Sequence, residues 1–189
     1  WTSGKKWHRY YLNAYGSGGQ VLASGSECFI KNCKSENIST TANRDGCSGA
    51  VNILIEAVEA ISYRGEAIDV AIISNTVLRY VYAHDSLNGV QLTGGSVDYQ
   101  VHECVIADNL TLALALTGAN LNNSIISRNI LYGAENKLGT GLSYATGTII
   151  SKHHNNIISG FVTGVTHADA GQAACFGDYN DYYNCTTPN

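Results

Sequence analysis

A five-residue pattern of hydrophobic and polar positions recurs along the chain: small or polar, apolar, apolar, variable, polar. It reads Cys28-Phe29-Ile30-Lys31-Asn32, Asn52-Ile53-Leu54-Ile55-Glu56, Thr76-Val77-Leu78-Arg79-Tyr80, Cys104-Val105-Ile106-Ala107-Asp108, Ser124-Ile125-Ile126-Ser127-Arg128 and Asn156-Ile157-Ile158-Ser159-Gly160. A last version, Asn180-Asp181-Tyr182-Tyr183-Asn184, puts Asp and Tyr in the aliphatic slots. Successive copies start 24, 24, 28, 20, 32 and 24 residues apart. A fixed period of this length is the mark of a repeat architecture, in which each unit buries its apolar face only against its neighbours.

Shorter stretches follow each motif, such as Val90-Gln91-Leu92, Leu112-Ala113-Leu114, Leu142-Ser143-Tyr144 and Val165-Thr166-His167. Their alternation of apolar and other positions predicts strands with one buried face. Weaker strands precede it, as in Val70-Ala71-Ile72, Val97-Asp98-Tyr99 and Thr148-Ile149-Ile150. Three short strands per repeat, joined by Asn, Gly and Ser turns, predict an all-β fold: a right-handed parallel β-helix, or solenoid, of about seven coils over residues 20–189. Residues 1–19, with Trp7, His8, Arg9, Tyr10, Tyr11 and Tyr15, are expected to form an aromatic N-terminal cap or an attachment strand. A β-sandwich would call for hairpin turns at short intervals and no super-period. An α/β fold would need helical stripes that the chain lacks.

In such a coil like stacks on like. The third motif position (Ile30, Leu54, Leu78, Ile106, Ile126, Ile158, Tyr182) is expected to form the main inward column. Alternation then points the second position outward, so Phe29, Ile53, Val77, Val105, Ile125 and Ile157 form an exposed apolar stripe. A soluble monomer rarely shows a stripe of that length, so it is read as an assembly contact that makes a homo-oligomer or filament.

Composition narrows the class. Only 14% of residues are charged, fewer than long exposed helices carry. A net charge of -4 supplies no basic face for nucleic acid. No apolar run is long enough to span a membrane. The chain begins at Trp1 and contains no Met, which is expected of a processed form or a segment of something longer. Six cysteines at these spacings offer no zinc site, and no motif calls for a metal or cofactor. They are read as small buried hydrophobes, with local Cys33–Cys47 and Cys175–Cys185 disulfides as the alternative. Sequons occur at Asn37, Asn109, Asn122 and Asn184, a number that chance supplies in so Asn-, Ser- and Thr-rich a chain. Asn109 is the expected acceptor if one is used.

Residues 20–187 resemble the pectate-lyase-like superfamily of right-handed parallel β-helices, found in secreted bacterial proteins, polysaccharide-active enzymes and phage tailspikes. The closing Asp178-Tyr179-Asn180-Asp181-Tyr182-Tyr183-Asn184 is similar to a segment of such repeats. The resemblance implies an extracellular or virion-surface setting and a polysaccharide as the default ligand. A hydrolase of this kind would need paired carboxylates, yet the chain has no Asp-Asp pair and no G-H-G or R-x-K motif. Its acids are scattered, with no D-x-D-x-D cluster for Ca²⁺. Lys152-His153-His154 and His102-Glu103 read as ordinary polar faces. The sugar-binding candidates lie on two apparent long connections, Tyr80 to Asn88 and Asn129 to Gly141. They are Tyr80, Tyr82, His84 and Asp85 on the first, and Tyr132, Glu135, Asn136 and Lys137 on the second. The expected function is therefore a structural and binding segment of a fibre, tailspike or adhesin. A polysaccharide lyase or glycoside hydrolase of the same fold is the alternative.

Overall fold

A computed structural model describes residues 11–14, 22–23, 29–37, 45–49, 52–62, 64–71, 75–93, 99–117, 120–133, 139–144, 148–167 and 175–187. Among these there is no helix, and every strand pairing is parallel. The chain is a parallel β-solenoid. At the N-terminal side run β1 (Tyr11–Ala14), β2 (Leu22–Ala23), β3 (Phe29–Asn37), β4 (Cys47–Gly49), β5 (Leu54–Ser62) and β6 (Glu66–Ala71). Four coils with three separate strands each follow. They are β7 (Thr76–Arg79), β8 (Tyr82–His84), β9 (Asn88–Thr93); β10 (Tyr99–His102), β11 (Val105–Asn109), β12 (Leu112–Thr117); β13 (Asn120–Ser127), β14 (Ile130–Gly133), β15 (Thr140–Tyr144); and β16 (Thr148–His154), β17 (Ile157–Ser159), β18 (Thr163–His167). The last strands are β19 (Cys175–Asp178) and β20 (Asp181–Tyr183).

Three faces result. The first stacks β7, β10, β13, β16 and β19, and the second stacks β8, β11, β14, β17 and β20. The long strands β3 and β5 cross both faces without a break, which joins them into one 13-stranded sheet. The third face is a separate seven-stranded sheet of β2, β4, β6, β9, β12, β15 and β18. Of residues 1–19 only β1 is described, as a strand paired with the second half of β3; the rest of the expected cap lies outside the described residues.

The repeat unit is finer than a single motif per coil. First and second faces each contribute five residues: outward, inward, outward, corner, inward. Val77-Leu78-Arg79-Tyr80-Val81 is thus followed at once by Tyr82-Ala83-His84-Asp85-Ser86, and Ile125-Ile126-Ser127-Arg128-Asn129 by Ile130-Leu131-Tyr132-Gly133, which is one residue short because it lacks the corner. The corner between these faces always falls on a left-handed residue: Asn32, Ala57, Tyr80, Glu103, Arg128, Asn155 and Tyr179, with φ between 51° and 57°. For residues such as Ala57 or Arg128 that backbone costs about 1 kcal/mol or more. It persists because the stacked coils on both sides hold every corner in the same place.

This tandem arrangement corrects the expected columns. The motifs at Cys104, Asn156 and Asn180 belong to the second face, those at Thr76 and Ser124 to the first, so the steps of 28, 20 and 32 residues are changes of face. The inward column of the first face is Ile30–Ile55–Leu78–Val101–Ile126–His153–Gly177. That of the second is Ser35–Ala60–Ala83–Ile106–Leu131–Ile158–Tyr182. The third face adds Ile68–Val90–Leu114–Leu142–Val165. These aliphatic side chains are buried almost completely, and at about 1.5–3 kcal/mol each their burial is the main favourable term in the fold.

The proposed stripe divides in the same way. Phe29, Val77 and Ile125 point outward on the first face, in a column broken by Gln100 and Lys152. Val105 and Ile157 point outward on the second. Ile53 is not on the surface at all, being 1% exposed. Asn52 occupies a left-handed corner equivalent to that of Asn75, and the two side chains are hydrogen-bonded at 2.9 Å. Ile53 therefore matches buried Thr76, and Leu54 is the outward partner of Val77.

Candidate functional site

The second face carries the surface feature that stands apart. Its outward column runs Lys34–Glu59–Tyr82–Val105–Ile130–Ile157–Asp181. Four consecutive coils thus present Tyr82, Val105, Ile130 and Ile157 at about 4.8 Å spacing with no polar interruption. Tyr82, Ile130 and Ile157 remain 41%, 42% and 45% exposed. Beside them lies the column His84–Ala107–Tyr132–Ser159–Tyr183, in which Tyr132 and Tyr183 are also exposed.

At the N-terminal end of the column the apolar surface gives way to a charged cluster. His84 Nδ1 lies 2.7 Å from the Asp85 carboxylate, and Nε2 lies 3.3 Å from Glu59. Glu59 in turn pairs with Lys34 at 3.0 Å. The Tyr82 ring stacks on the imidazole with centroids 3.9 Å apart. Burial pushes the Glu59 carboxyl up, but the hydrogen bonds from Lys34 and His84 outweigh it and hold the group below its ordinary value. Burial, followed by the charges of Asp108, Asp85 and Glu59, raises the Tyr82 phenol. The cluster is a closed set of ion pairs and hydrogen bonds. Its imidazole occupies the space between the two carboxylates, where a hydrolase would need substrate or water.

The two apparent long connections are regular structure where they are described. Tyr82 and His84 lie on β8, Asp85 is the left-handed residue that follows it, and Tyr132 lies on β14. Tyr82, His84, Asp85 and Tyr132 therefore do share one face, with Tyr82 and Tyr132 two coils apart. Tyr80 does not join them. It sits on the corner ridge, where its hydrogen bond to Glu103 raises the phenol and lowers the carboxyl. Arg128 closes on Glu103 from the next coil at 3.1 Å. Glu135, Asn136 and Lys137 lie outside the described residues.

No known protein family, curated protein or solved structure matches the chain. What this surface can do must be argued from its own chemistry. Glu59, Lys34 and Ile130 escaped the sequence reading. Glu59 meets His84 from 25 residues away, a pairing that only the coil register creates. Ile130 had a visible signal in its place five residues after Ile125, the tandem repeat of the same motif.

Other expectations are settled by burial. Asn109 is not a glycan acceptor in the folded chain, because it is 1% exposed. Its Oδ1 accepts the Ser86 N–H at 3.1 Å, and its Nδ2 donates to the Ala83 carbonyl at 3.4 Å. Cys33, Cys104 and Cys185 are free thiols, which removes the alternative Cys33–Cys47 and Cys175–Cys185 bridges. Nor does Lys152-His153-His154 form an ordinary polar face. His153 points into the core, 3% exposed, in a column whose members are otherwise aliphatic up to Gly177.

The bore consequently turns polar at its C-terminal end. The Tyr144 hydroxyl and His153 Nδ1 are 3.0 Å apart, and the Tyr144 ring stacks on His167 of the next coil with centroids 5.0 Å apart. A half-open cavity of about 400 Å³ lies there, lined by His153, His167, Gly177, Asp178, Asn180 and Tyr182 among others. Among the described residues no group of three or more His, Cys, Asp or Glu side chains is placed to hold a metal.

Proposed function

We propose that this chain is a structural, binding β-solenoid that associates with a second copy of itself through the outward column of its second face. The supporting observation is the unbroken run Tyr82–Val105–Ile130–Ile157 on a regular parallel sheet. Parallel sheets are ordinarily covered on both faces, and contiguous exposed apolar surface marks an interaction site. The aliphatic character of three of the four residues favours a dry contact with another apolar surface over a sugar. A pyranose prefers aromatic faces and hydrogen-bonding partners. A face of this length offers roughly 500 Å² or less per copy, short of a permanent dimer, so the association is weak and concentration-dependent. Weak contacts repeated along a rod suit a fibre, tailspike or adhesin at an extracellular or virion surface, the setting that the resemblance of the repeat implies.

A second reading, carbohydrate binding, is favoured by Tyr82 and Tyr132, both 41% exposed on the same face. Catalysis on a polysaccharide has less support, since Glu59 and Asp85 both close on His84.

Light scattering after size exclusion, over a wide concentration range, tests the proposal. The wild-type chain is expected to show a rising mass, and Ile130→Lys with Ile157→Lys to remain monomeric. Ile125→Lys, on the first face, should associate as wild type does. A wild-type monomer at every concentration sinks the proposal, and so does association that ignores the double substitution. A glycan screen in which binding is lost in Tyr82→Ala and Tyr132→Ala would favour the second reading instead.

A further inference from the structure

We propose that the C-terminal coils, β16 to β20, are an acid-sensitive segment of the rod, opened by protonation of His153 inside the bore. The placement carries the inference. Every described residue before His153 in the first-face inward column is Ile, Leu or Val. A neutral imidazole fits there because Tyr144 partners Nδ1 and because Gly177 leaves room on the Nε2 side, where an added Cβ would overlap the ring. An imidazolium fits badly. It would be buried directly beside Ile126 of the preceding coil, with its ring centroid 6.5 Å from that of His167, itself stacked on Tyr144.

The groups around His153 offer little relief. On its own strand Lys152 and His154 flank it, both facing outward and adding positive charge. β15 contributes the Tyr144 phenol, β18 contributes His167, and the second face contributes the Tyr182 phenol at the cavity. The Asp178 carboxylate of β19, in register with His154, borders the same cavity but is not among the charges that act on His153. β13, on the other flank, presents Ile126. Burial first, then the charges of His167 and His154, lowers His153 to about 4.

The sign follows directly. An opened coil binds the proton near the ordinary imidazole value of about 6.5, whereas the closed coil resists it down to about 4. Closure is therefore fully favoured above pH 6.5, is progressively lost between about pH 6.5 and 4, and loses nothing more from this group below that. At pH 5 the linkage raises the opening constant about thirtyfold over its value at pH 7.5. Among the described residues, β5 to β12 hold no such group in their inward columns, so mild acid divides the rod into a persistent N-terminal part and a labile C-terminal one.

Hydrogen exchange read by mass spectrometry, with rates corrected for the intrinsic pH dependence, measures this. Peptides from 148–167 and 175–187 are expected to lose protection about thirtyfold between pH 7.5 and pH 5, while peptides from 54–62 and 99–117 change little. His153→Leu, which continues the aliphatic column, should abolish the difference. If that variant folds poorly, His153→Gln retains a hydrogen-bonding partner for Tyr144 without titrating, and should abolish it too. Equal loss of protection along the whole rod overturns the proposal. So does an acid response that survives in a folded variant lacking the imidazole, whichever way the self-association test turns out.

Discussion

Removing the Asn156 side chain should destabilise the rod far more than its small volume suggests. Asn156 is 1% exposed and belongs to the column just after the corner, Cys104–Asn129–Asn156–Asn180. Its Oδ1 accepts from the Asn129 main-chain N–H and from Asn129 Nδ2, both at 3.0 Å. Its Nδ2 donates to the Ile126 carbonyl at 3.0 Å and to Asn180 Oδ1 at 2.9 Å. In Asn156→Ala the amides of Asn129 and Asn180 keep other partners, namely the Val101 carbonyl and the Asn156 N–H. The Asn129 N–H does not, and it is left buried without an acceptor. A stranded buried donor costs about 1–3 kcal/mol and each of the three further lost bonds about 1 kcal/mol, so the total is about 4–6 kcal/mol. For a chain of this size that lowers Tm by roughly 10 °C.

The charge-state variant sharpens the test. Asn156→Asp keeps the shape but turns an oxygen toward the Ile126 carbonyl and Asn180 Oδ1, so at neutral pH it should cost at least as much as alanine. Its native pKa would lie above the unfolded value of about 3.9, because only the protonated carboxyl restores a donor. The deficit against wild type at the same pH should accordingly shrink as pH falls through that raised value. Denaturant titration followed by circular dichroism reads all three proteins. Exposed Lys152→Ala serves as the comparison, expected to stay within about 0.5 kcal/mol. If Asn156→Ala costs no more than Lys152→Ala, the ladder contributes nothing and the reasoning fails.

Two further outcomes can be measured. Gly139 has φ of +78° and its Hα faces the Thr111 carbonyl so closely that a Cβ would overlap it, so Gly139→Ala should lose about 3 kcal/mol or more in the same titration; an unchanged midpoint would refute the corner geometry. Burial pushes the Cys104 thiol up to about 12 and the Cys33 thiol to about 11. At pH 8 mass-resolved alkylation should therefore label native Cys104 about a thousandfold more slowly than the unfolded chain, and Cys33 about a hundredfold. Rates close to those of the unfolded chain would show that these positions are open.

How far the site could be read from residues alone varies position by position. Tyr82, His84, Asp85 and Tyr132 were recognisable as aromatic and acidic side chains suited to a surface role, and the solenoid does gather them on one face. Proximity in sequence groups Tyr80 with them, yet a left-handed corner turns it to another edge. Simple alternation points Ile53 outward, but Asn52 interrupts it by taking the left-handed conformation one position later in the motif than Asn75 does before Thr76. Lys152-His153-His154 reads as an ordinary polar face, and only the strand parity set by pairing with Ile126 places His153 in the bore.

The period of about two dozen residues and the two-residue alternation within each strand were enough to determine a parallel stack of coils. Both are local consequences of which side chains avoid water, and no other layered arrangement satisfies them at once. Which motif lies above which depends on something the pattern leaves open. Two consecutive five-residue units look alike, and either matches either when coils are aligned by composition alone. Main-chain hydrogen bonding between coils removes that freedom, since one choice of register closes the described ladders and links the amides of Asn129, Asn156 and Asn180. The unbroken apolar face, the His84 cluster and the histidine in the bore all follow from that choice.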